Sequence, residues 1–265
     1  MRRLALSAVL MSLVILPAAG GDAYAATCTF NKSSDLWQVA GNWDGCGGNV
    51  PTAADDVVIP AGMAPSVTQN EPAASLTLSG GQIAFFGAPT ITVSGALGIT
   101  SGTLAGDGRV AVGAGGSFAK TGAGQLVLNE GAKLQLGAGW SLSAGTILVT
   151  GTGAIIGGTT GAISAGTLTL NGSLTGSLTL TGGVLAGTGQ ITGTVTNTAG
   201  TVRPGGSPQV GRLSVTGSYT QGSAAAIEID EQGTVPGTGF DVLAVAGPAT
   251  PGGTVGVFHA PGFTP

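Results

Sequence analysis

The sequence predicts an all-β protein, a parallel β-solenoid like a right-handed β-helix, with a small N-terminal cap pinned by a disulfide. From residue 66 to residue 220, two apolar residues around a Thr or Ser are repeatedly followed by Gly, as in LTLSG at 76–80 and ITVSG at 91–95. Alternation with period two is typical of short strands, and the glycines indicate corners between them. Strands repeated this often indicate stacked turns of one coil, because a single turn buries too little apolar surface to fold alone.

The composition favours an ordered β structure and argues against nucleic-acid binding. The chain has 265 residues, 51 of them Gly, and a formal net charge of −4. Glycine at this level without a three-residue period excludes collagen, and a mean hydropathy of +0.43 is unlike that of a disordered chain. A sequence pI near 4.7 with 8 Lys and Arg predicts no nucleic-acid partner.

Residues 1–25 have the features of a secretory signal peptide. Arg2-Arg3 precedes an apolar run at 4–16, and Ala23-Tyr24-Ala25 offers small residues for cleavage after Ala25. We therefore expect an exported protein, extracellular or on the outer surface of a bacterium. Glycines and polar residues interrupt every other apolar stretch, so we expect no transmembrane segment in the mature chain.

Cys28 and Cys46 are the two cysteines of the chain, and both follow the predicted cleavage site. In an exported chain a close pair is most simply a disulfide, worth about 3 kcal/mol in the chain-entropy model. Metal binding and redox chemistry are the alternatives. Both fit less well, because there is no C-x-x-C spacing and the one histidine, His259, lies at the far end.

The mature chain divides into three predicted parts: a cap module at 26–62, a solenoid body at 63–225 and further strands at 226–265. The cap holds Trp37 and Trp43, which we interpret as its apolar core, with a sugar-stacking platform as the alternative. Residues 57–59 (VVI), closed by a proline, are predicted to be its outgoing strand. A cap is expected here because the end of a solenoid exposes unpaired backbone.

The body contains a longer internal sequence repeat. Residues 101–110 (SGTLAGDGRV) resemble residues 182–191 (GGVLAGTGQI), so Leu104 and Leu185 are equivalent at an offset of 81 residues (185 minus 104). We expect both leucines to point inward, with the following glycines forming the corner. The spacing of the apolar triplets is otherwise irregular, which predicts corners of variable length.

Two segments resemble exported bacterial proteins. Residues 37–45 (WQVAGNWDG), followed by DDVVIP at 55–60, resemble the N-terminal segment of secreted and autotransporter-like proteins with Gly- and Thr-rich β-helical bodies. Residues 200–221 (GTVRPGGSPQVGRLSVTGSYTQ) resemble a phrase of autotransporter passenger repeats, with a departure at Val210, where the phrase has Gly directly after Pro. The resemblance implies further strands and a barrel or sorting tail after residue 265, so we expect this chain to be a fragment of a longer protein.

The sequence predicts no catalytic, cofactor-binding or metal-ligating residues. The enzyme alternative is a polysaccharide lyase or hydrolase, which needs clustered carboxylates near a base. Its best candidates are Asp107 with Arg109, and Asp55-Asp56 as a calcium site; we interpret both pairs as solvated turns or strand edges. His259 is interpreted as a solvated loop residue and Ser207 as part of a turn.

These observations favour an exported structural or adhesive protein without catalysis. Its candidate partners are a host surface, a polysaccharide, or other copies of the chain through self-association. The alternatives are the carbohydrate-active β-helix enzyme and a passive spacer for a missing C-terminal part.

Overall fold

The chain forms the predicted parallel β-solenoid in a computed structural model that describes residues 25–264; the predicted signal peptide, apart from Ala25, lies outside the described residues. The described residues contain no α-helix and one short 3-10 helix, Ala40–Asn42. The strands are Thr27–Phe30, Asp35–Leu36, Trp43–Asp44, Asp56–Pro60, Pro65–Val67, Glu71–Ala73, Ser75–Phe85, Thr90–Val93, Ala96–Gly106, Arg109–Val112, Ser117–Lys120, Gln125–Leu128, Lys133–Leu136, Trp140–Leu142, Thr146–Val149, Ala154–Ile163, Thr167–Leu170, Ser173–Leu180, Val184–Gly187, Gln190–Thr192, Val195–Asn197, Thr201–Pro204, Arg212–Val215, Tyr219–Gln221, Ala226–Glu231, Val242–Val245, Ala249–Thr250 and Thr254–His259.

Each turn of the coil crosses three faces, and each face is a ladder of parallel strands. Face 1 runs from Thr27–Phe30 to Ala249–Thr250, face 2 from Asp35–Leu36 to Thr254–His259, and face 3 from Glu71–Ala73 to Val242–Val245. Four long strands bend from one face to the next. They are Ser75–Phe85 and Ala96–Gly106, from face 1 to face 2, and Ala154–Ile163 and Ser173–Leu180, from face 3 to face 1.

Inward-facing side chains form apolar columns along the coil axis. On face 1, for example, Val57, Leu76, Leu97 and Phe118 are paired turn by turn, and all are buried. Because side chains alternate between the two surfaces of a strand, the intervening Thr, Ser and Ala face outward. The core is therefore a narrow stack one residue deep on each face.

The turns differ in length, which accounts for the irregular spacing of the triplets. Paired residues on face 1 are 21 positions apart between Leu76 and Leu97 (97 minus 76), but 17 between Leu178 and Val195 (195 minus 178). Near the C-terminal end the step between Tyr219 and Ala249 is 30 (249 minus 219). The extra residues lie in the corners, and the register shifts of the long strands also fall where those strands bend from one face to the next.

The two segments of the internal sequence repeat agree in the burial of their leucines but differ in strand register. Leu104 and Leu185 both lie on face 2 and both are buried. However, Leu104 pairs with Leu128, whereas Leu185 pairs with Leu168. The column of Leu168 and Leu185 lies two residues earlier along each strand than the column of Leu104 and Leu128. The two segments therefore repeat the same corner at registers that differ by two residues.

The N-terminal module contains the predicted apolar core and disulfide. Trp37 and Trp43 are buried, with ring centroids 4.7 Å apart in an edge-to-face arrangement, and the Trp43 indole N–H donates to the Trp37 carbonyl at 2.7 Å. This burial confirms the core interpretation and excludes the sugar platform. Cys28 and Cys46 are disulfide-bonded, with Cα atoms 5.0 Å apart.

The module also covers the first edge of the coil. The predicted outgoing strand is present as Asp56–Pro60, and it pairs in parallel with Thr27–Phe30. On its other side Thr27–Phe30 pairs antiparallel with Trp43–Asp44. At the opposite end, Val255 and Val257 continue two inward-facing columns of face 2 but are 62% and 51% exposed. No helix among the described residues is long and apolar enough to cross a membrane.

Candidate functional site

The loop at 205–211, which connects face 2 to face 3, forms a ridge on the outer surface of the coil. It begins with Gly205 and Gly206, at φ values of +80° and +85°, a conformation that glycine adopts without steric cost. The loop follows the strand Thr201–Pro204 and precedes Arg212–Val215. It corresponds to the PGGSP part of the sequence phrase, so that phrase specifies a projecting corner.

Asp241 holds this ridge against the next turn. Its carboxylate accepts the Gly211 N–H at 2.7 Å and the Asp230 N–H at 2.9 Å. A Cβ on Gly205 would lie 2.6 Å from the same carboxylate. Only glycine at position 205 therefore lets the loop close around Asp241. Burial raises the pKa of Asp241 above its ordinary value, against the opposing effect of the two N–H donors.

A first groove, the Arg203 groove, lies on one side of the ridge over face 2. Its volume is about 360 Å³. The Arg203 guanidinium is paired with the Glu228 carboxylate, and this hydrogen bond raises the pKa of Arg203. Asn171 is fixed because its side-chain oxygen accepts the Thr188 N–H at 3.1 Å. The polar residues that line the groove are Thr167, Thr169, Asn171, Arg203, Ser207 and Gln209.

A second groove, the Glu231 cleft, lies where the ridge meets the last strand of face 2. Its volume is about 320 Å³, and its lining includes Asp230, Gln232 and the half-exposed Phe258. At its wall the His259 Nδ1 lies 3.1 Å from a Glu231 carboxylate oxygen. The prediction of a loop position for His259 is wrong, since the residue ends the strand Thr254–His259, although its side chain is 44% exposed.

The two grooves together present hydroxyl, amide, guanidinium, carboxylate and imidazole groups on both sides of one ridge. Such mixed donors and acceptors suit a ligand that carries many hydroxyl groups. Both grooves are open to solvent along the surface of the coil, so they fit an extended ligand better than a small enclosed one. The arrangement can therefore bind a chain-like polar molecule.

The structure does not combine Asp107 and Arg109 into a site. Asp107 lies in the predicted corner after the strand Ala96–Gly106, and Arg109 begins the next strand, Arg109–Val112. Within residues 25–264 they form no ion pair; the Arg109 guanidinium donates instead to the Gln135 side chain at 3.0 Å. Glu71 is also buried elsewhere and accepts from Gln38 at 2.8 Å.

Asp55 differs from its predicted solvated role, because its carboxylate is a structural acceptor in the cap. It accepts the Ala26 N–H at 2.9 Å and the Thr52 N–H and hydroxyl at 2.8 and 2.7 Å. Burial raises the pKa of Asp55, but these hydrogen bonds outweigh it and the net pKa lies below its ordinary value. The neighbouring Asp56 accepts from the Ser75 hydroxyl. Nowhere in the described chain do three or more His, Cys, Asp or Glu side chains gather as a metal site would require.

Two buried polar features were not predicted from the sequence. Lys120 is fully buried in a face 1 column between Ile99 and Leu142, and its ammonium donates to the carbonyls of Gly122 and Ala144. Burial lowers the pKa of Lys120. The alternation of SFAK at 117–120 does place Lys120 inward, so the sequence pattern was sufficient to predict its burial.

The second feature is a polar ladder near the C-terminal end of face 1. Asn197, Tyr219 and Gln221 are all buried and linked, with the Tyr219 hydroxyl donating to Gln221 at 3.0 Å. Burial raises the pKa of Tyr219, opposed by its contact with Asn197. Tyr219 and Gln221 belong to the YTQ of the sequence phrase, which therefore has a role inside the core.

Comparison with protein-family models, with curated proteins and with solved structures gives no match for the chain. Function is therefore inferred from the chemistry of the coil itself. The likeness to autotransporter passengers rests on the two sequence phrases, and what it implies about export is a proposal.

Proposed function

We propose that the protein is an exported bacterial β-solenoid, secreted or displayed at the cell surface, with a structural and adhesive role and no catalytic one. The observation that carries this proposal is the pair of open polar grooves beside the 205–211 ridge on a regular coil. The Cys28–Cys46 disulfide is compatible with an oxidising compartment. The features of residues 1–25 support export independently.

The ligand class that best fits the grooves is a polysaccharide. Sugar hydroxyls both donate and accept hydrogen bonds, as do Asn171, Ser207 and Gln209 along the Arg203 groove. The half-exposed ring of Phe258 at the Glu231 cleft offers a surface on which a pyranose ring can stack. A host surface would be bound through its glycans in the same way.

A glycan-array measurement on purified residues 26–265 tests this function. We expect binding to at least one polysaccharide, weakened about tenfold by Arg203→Gln, which loses the guanidinium at the groove. Arg109→Gln is the matched control, since Arg109 lies outside both grooves and its variant should bind as the wild type does. Equal effects of the two substitutions would contradict the assignment, and no binding at all would favour the spacer alternative.

Export is tested separately by the intact mass and cell fraction of the native product. A species in the medium that matches residues 26–265 and gains about two mass units on reduction would support secretion. A much larger product in the outer-membrane fraction would support a displayed passenger of which this chain is a part. A full-length product retained in the cytoplasm would refute export.

The enzyme alternative is favoured by one observation, the Glu231–His259 pair inside the cleft. A carboxylate beside an imidazole can exchange protons with a bound sugar. Turnover of any member of a polysaccharide panel, abolished by Glu231→Gln, would replace the non-catalytic proposal. Loss of such turnover on changing Asp107 or Arg109 would instead point to the corner that the sequence suggested.

A further inference from the structure

The corner that connects face 2 to face 3 carries an asparagine at the same position on two turns. Leu128, Val149 and Leu170 end three successive strands of face 2 and are paired in one column. Asn129 follows the first of these residues, and Asn171 follows the last. The two asparagines are therefore structural equivalents, two turns apart. They differ in exposure, since Asn171 is exposed and Asn129 is half-buried.

The two asparagines also differ in the residue that follows them. Asn129 precedes Glu130, whereas Asn171 precedes Gly172 and forms the one Asn-Gly pair of the sequence. Packing requires this glycine, because a Cβ at position 172 would lie 2.2 Å from the Gly153 carbonyl oxygen on the preceding turn. The amide nitrogen that follows Asn171 is consequently not shielded by a side chain of its own residue.

The amide of Gly172 is also without a hydrogen bond. On either side of it, the Asn171 N–H donates to the Val149 carbonyl at 2.8 Å, and the Ser173 N–H donates to the Gly153 carbonyl at 3.2 Å. Gly172 lies between two strands, and among residues 25–264 its N–H has no acceptor. This N–H can therefore lose its proton to hydroxide without first breaking a hydrogen bond of the coil.

The side chain of Asn171 directs its carbonyl oxygen at two donors. The Oδ1 atom accepts the Thr188 N–H at 3.1 Å and the Thr188 hydroxyl at 3.3 Å. When a nucleophile adds to Cγ, negative charge develops on this oxygen, and donors that are already in place stabilise it. The side-chain nitrogen Nδ2, in contrast, donates to no acceptor in the described part of the chain. The coil therefore does not retain Nδ2 as a leaving group.

We propose that Asn171-Gly172 is a site of self-modification, at which the asparagine deamidates without an enzyme. The deprotonated Gly172 nitrogen attacks the Asn171 Cγ and closes a succinimide ring, while the bond between Cγ and Nδ2 breaks. Nδ2 takes a proton from water, which regenerates hydroxide, and leaves as ammonia. One water then opens the ring. Opening at Cγ leaves an aspartate at position 171, and opening at the backbone carbonyl leaves an isoaspartate.

Deamidation would change the charge of the Arg203 groove, which Asn171 lines. Residues 134–202 contain no Asp, Glu, Lys, Arg or His, so the new carboxylate would bring the first charge into that stretch. Because Arg203 is already paired with Glu228, the groove would become more negative. The isoaspartate form also adds one atom to the backbone of the corner. The coil can accommodate it there, since the corners already differ in length.

This proposal goes beyond the adhesive function and does not depend on it. The reaction needs the Asn-Gly pair, water and the conformation of one corner, whether or not the groove holds a ligand. Its product is detected by mass, without a binding measurement. A failure to bind glycans would therefore leave the proposal standing, and an unmodified Asn171 would leave the adhesive function standing.

Incubation of the purified protein in warm, mildly alkaline buffer tests the proposal. Samples taken over time are digested with pepsin at acidic pH, where deamidation is slow. Trypsin is unsuitable because residues 134–202 contain no Lys or Arg, whereas Leu170 and Leu174 flank the pair at bonds that pepsin can cleave. The peptide that contains Asn171 should gain about one mass unit and separate into aspartate and isoaspartate forms. This gain should be at least about tenfold faster than any gain at Asn129.

Two controls separate the contribution of the corner from that of the dipeptide. Asn171→Gln keeps an amide but should abolish the modification, because the longer side chain closes its ring far more slowly. The wild-type chain unfolded in guanidinium gives the rate without the corner, and the folded protein should react within about tenfold of it. An unchanged Asn171 over a period in which the unfolded chain is largely converted would overturn the proposal. Equal rates at Asn171 and Asn129 in the folded protein would do the same.

Discussion

Asn197 and Gln221 stack in one inward-facing column of face 1, on successive turns, where Leu180 and Ile163 precede them. The Asn197 side-chain oxygen accepts the Gly200 N–H at 2.8 Å, and the Gln221 amide donates to the carbonyls of Gly252 and Thr254 at 2.5 and 3.0 Å. The amides thereby tie the core column to the corners of the coil. A slip of one residue would break all of these bonds, so the ladder fixes the register of the last turns.

Replacing Asn197 with Ala should destabilise the protein by about 1–3 kcal/mol, because the buried Gly200 N–H would lose its acceptor. The measurement is the free energy of unfolding in urea. Thr196→Ala is the control: the neighbouring side chain points outward, and its removal should change stability by less than about 0.5 kcal/mol. Equal effects of the two substitutions would show that the ladder has no special role.

Replacing Lys120 with Met should stabilise the protein at neutral pH, because an apolar chain of similar length takes the place of a charge buried without a carboxylate partner. Lys133→Met is the control, since Lys133 begins a strand of face 3 and its side chain is only partly buried. Unfolding free energies at pH 7 provide the comparison. A Lys120→Met variant less stable than the wild type would mean that the bonds to the corner carbonyls outweigh the desolvation.

The same pair of proteins should differ in pH dependence above neutrality. The pKa of Lys120 in the folded state lies below its ordinary value of 10.5. Between these two values the unfolded chain binds more protons, so wild-type stability gains a contribution that rises with pH. The advantage of Lys120→Met should therefore shrink as the pH approaches 10.5. The effect of Tyr219 is common to both proteins and cancels in the difference, so an advantage that stays constant would contradict the prediction.

Substituting Gly161 with Ala should cost about 1–3 kcal/mol, because an added Cβ would overlap the Trp140 indole on the preceding turn. In a Trp140→Leu background the same substitution should cost less, which a double-mutant cycle measures. Gly115→Ala is the control, since a Cβ there meets nothing within 4 Å. Additive effects of the Gly161 and Trp140 changes would show that the two residues are not coupled.

Removing the Cys28–Cys46 disulfide by double Ser substitution should lower stability by about 3 kcal/mol, the cost of releasing the loop in the unfolded chain. Urea unfolding of the wild type with and without reductant should show the same difference. The double variant, in contrast, should not respond to reductant. A reductant effect in that variant would reveal a contribution unrelated to the bridge.

The sequence was sufficient to predict the strands but not their partners. Period-two alternation located segments such as Leu76–Leu78, because burial on one face leaves that pattern in any β structure. The cap around Trp37 was predicted instead from its tryptophans and from the exposed end of the coil. The pairing of the turns depends on the lengths of the corners: the step from a residue to its partner on the next turn is 17 at Leu178 but 30 at Tyr219. The period of a strand does not encode the conformation of its corners. The three-faced cross-section was therefore not predictable.

The candidate grooves were also hard to predict, because their position depends on contacts between residues that are distant in sequence. The 205–211 ridge owes its position to Asp241, which lies 30 residues beyond Gly211 in sequence. Lys120 was overlooked for the opposite reason: the alternation placed it inward, but a lone charge in an apolar column contradicts the usual distribution of lysine. Such conflicts between pattern and residue type mark positions that merit attention in other coils.

The hydrogen bond between the Ala26 N–H and Asp55 lies directly after the cleavage position that the sequence predicts. Cleavage after Ala25, where the sequence predicts it, would convert that amide into an α-ammonium group. The contact between the carboxylate and a neutral N–H would then become an ion pair between the carboxylate and an ammonium group. The precursor and the processed chain would then have the same fold but different stabilities. Cleavage at this position would therefore tighten the contact between the start of the chain and the first turn of the coil.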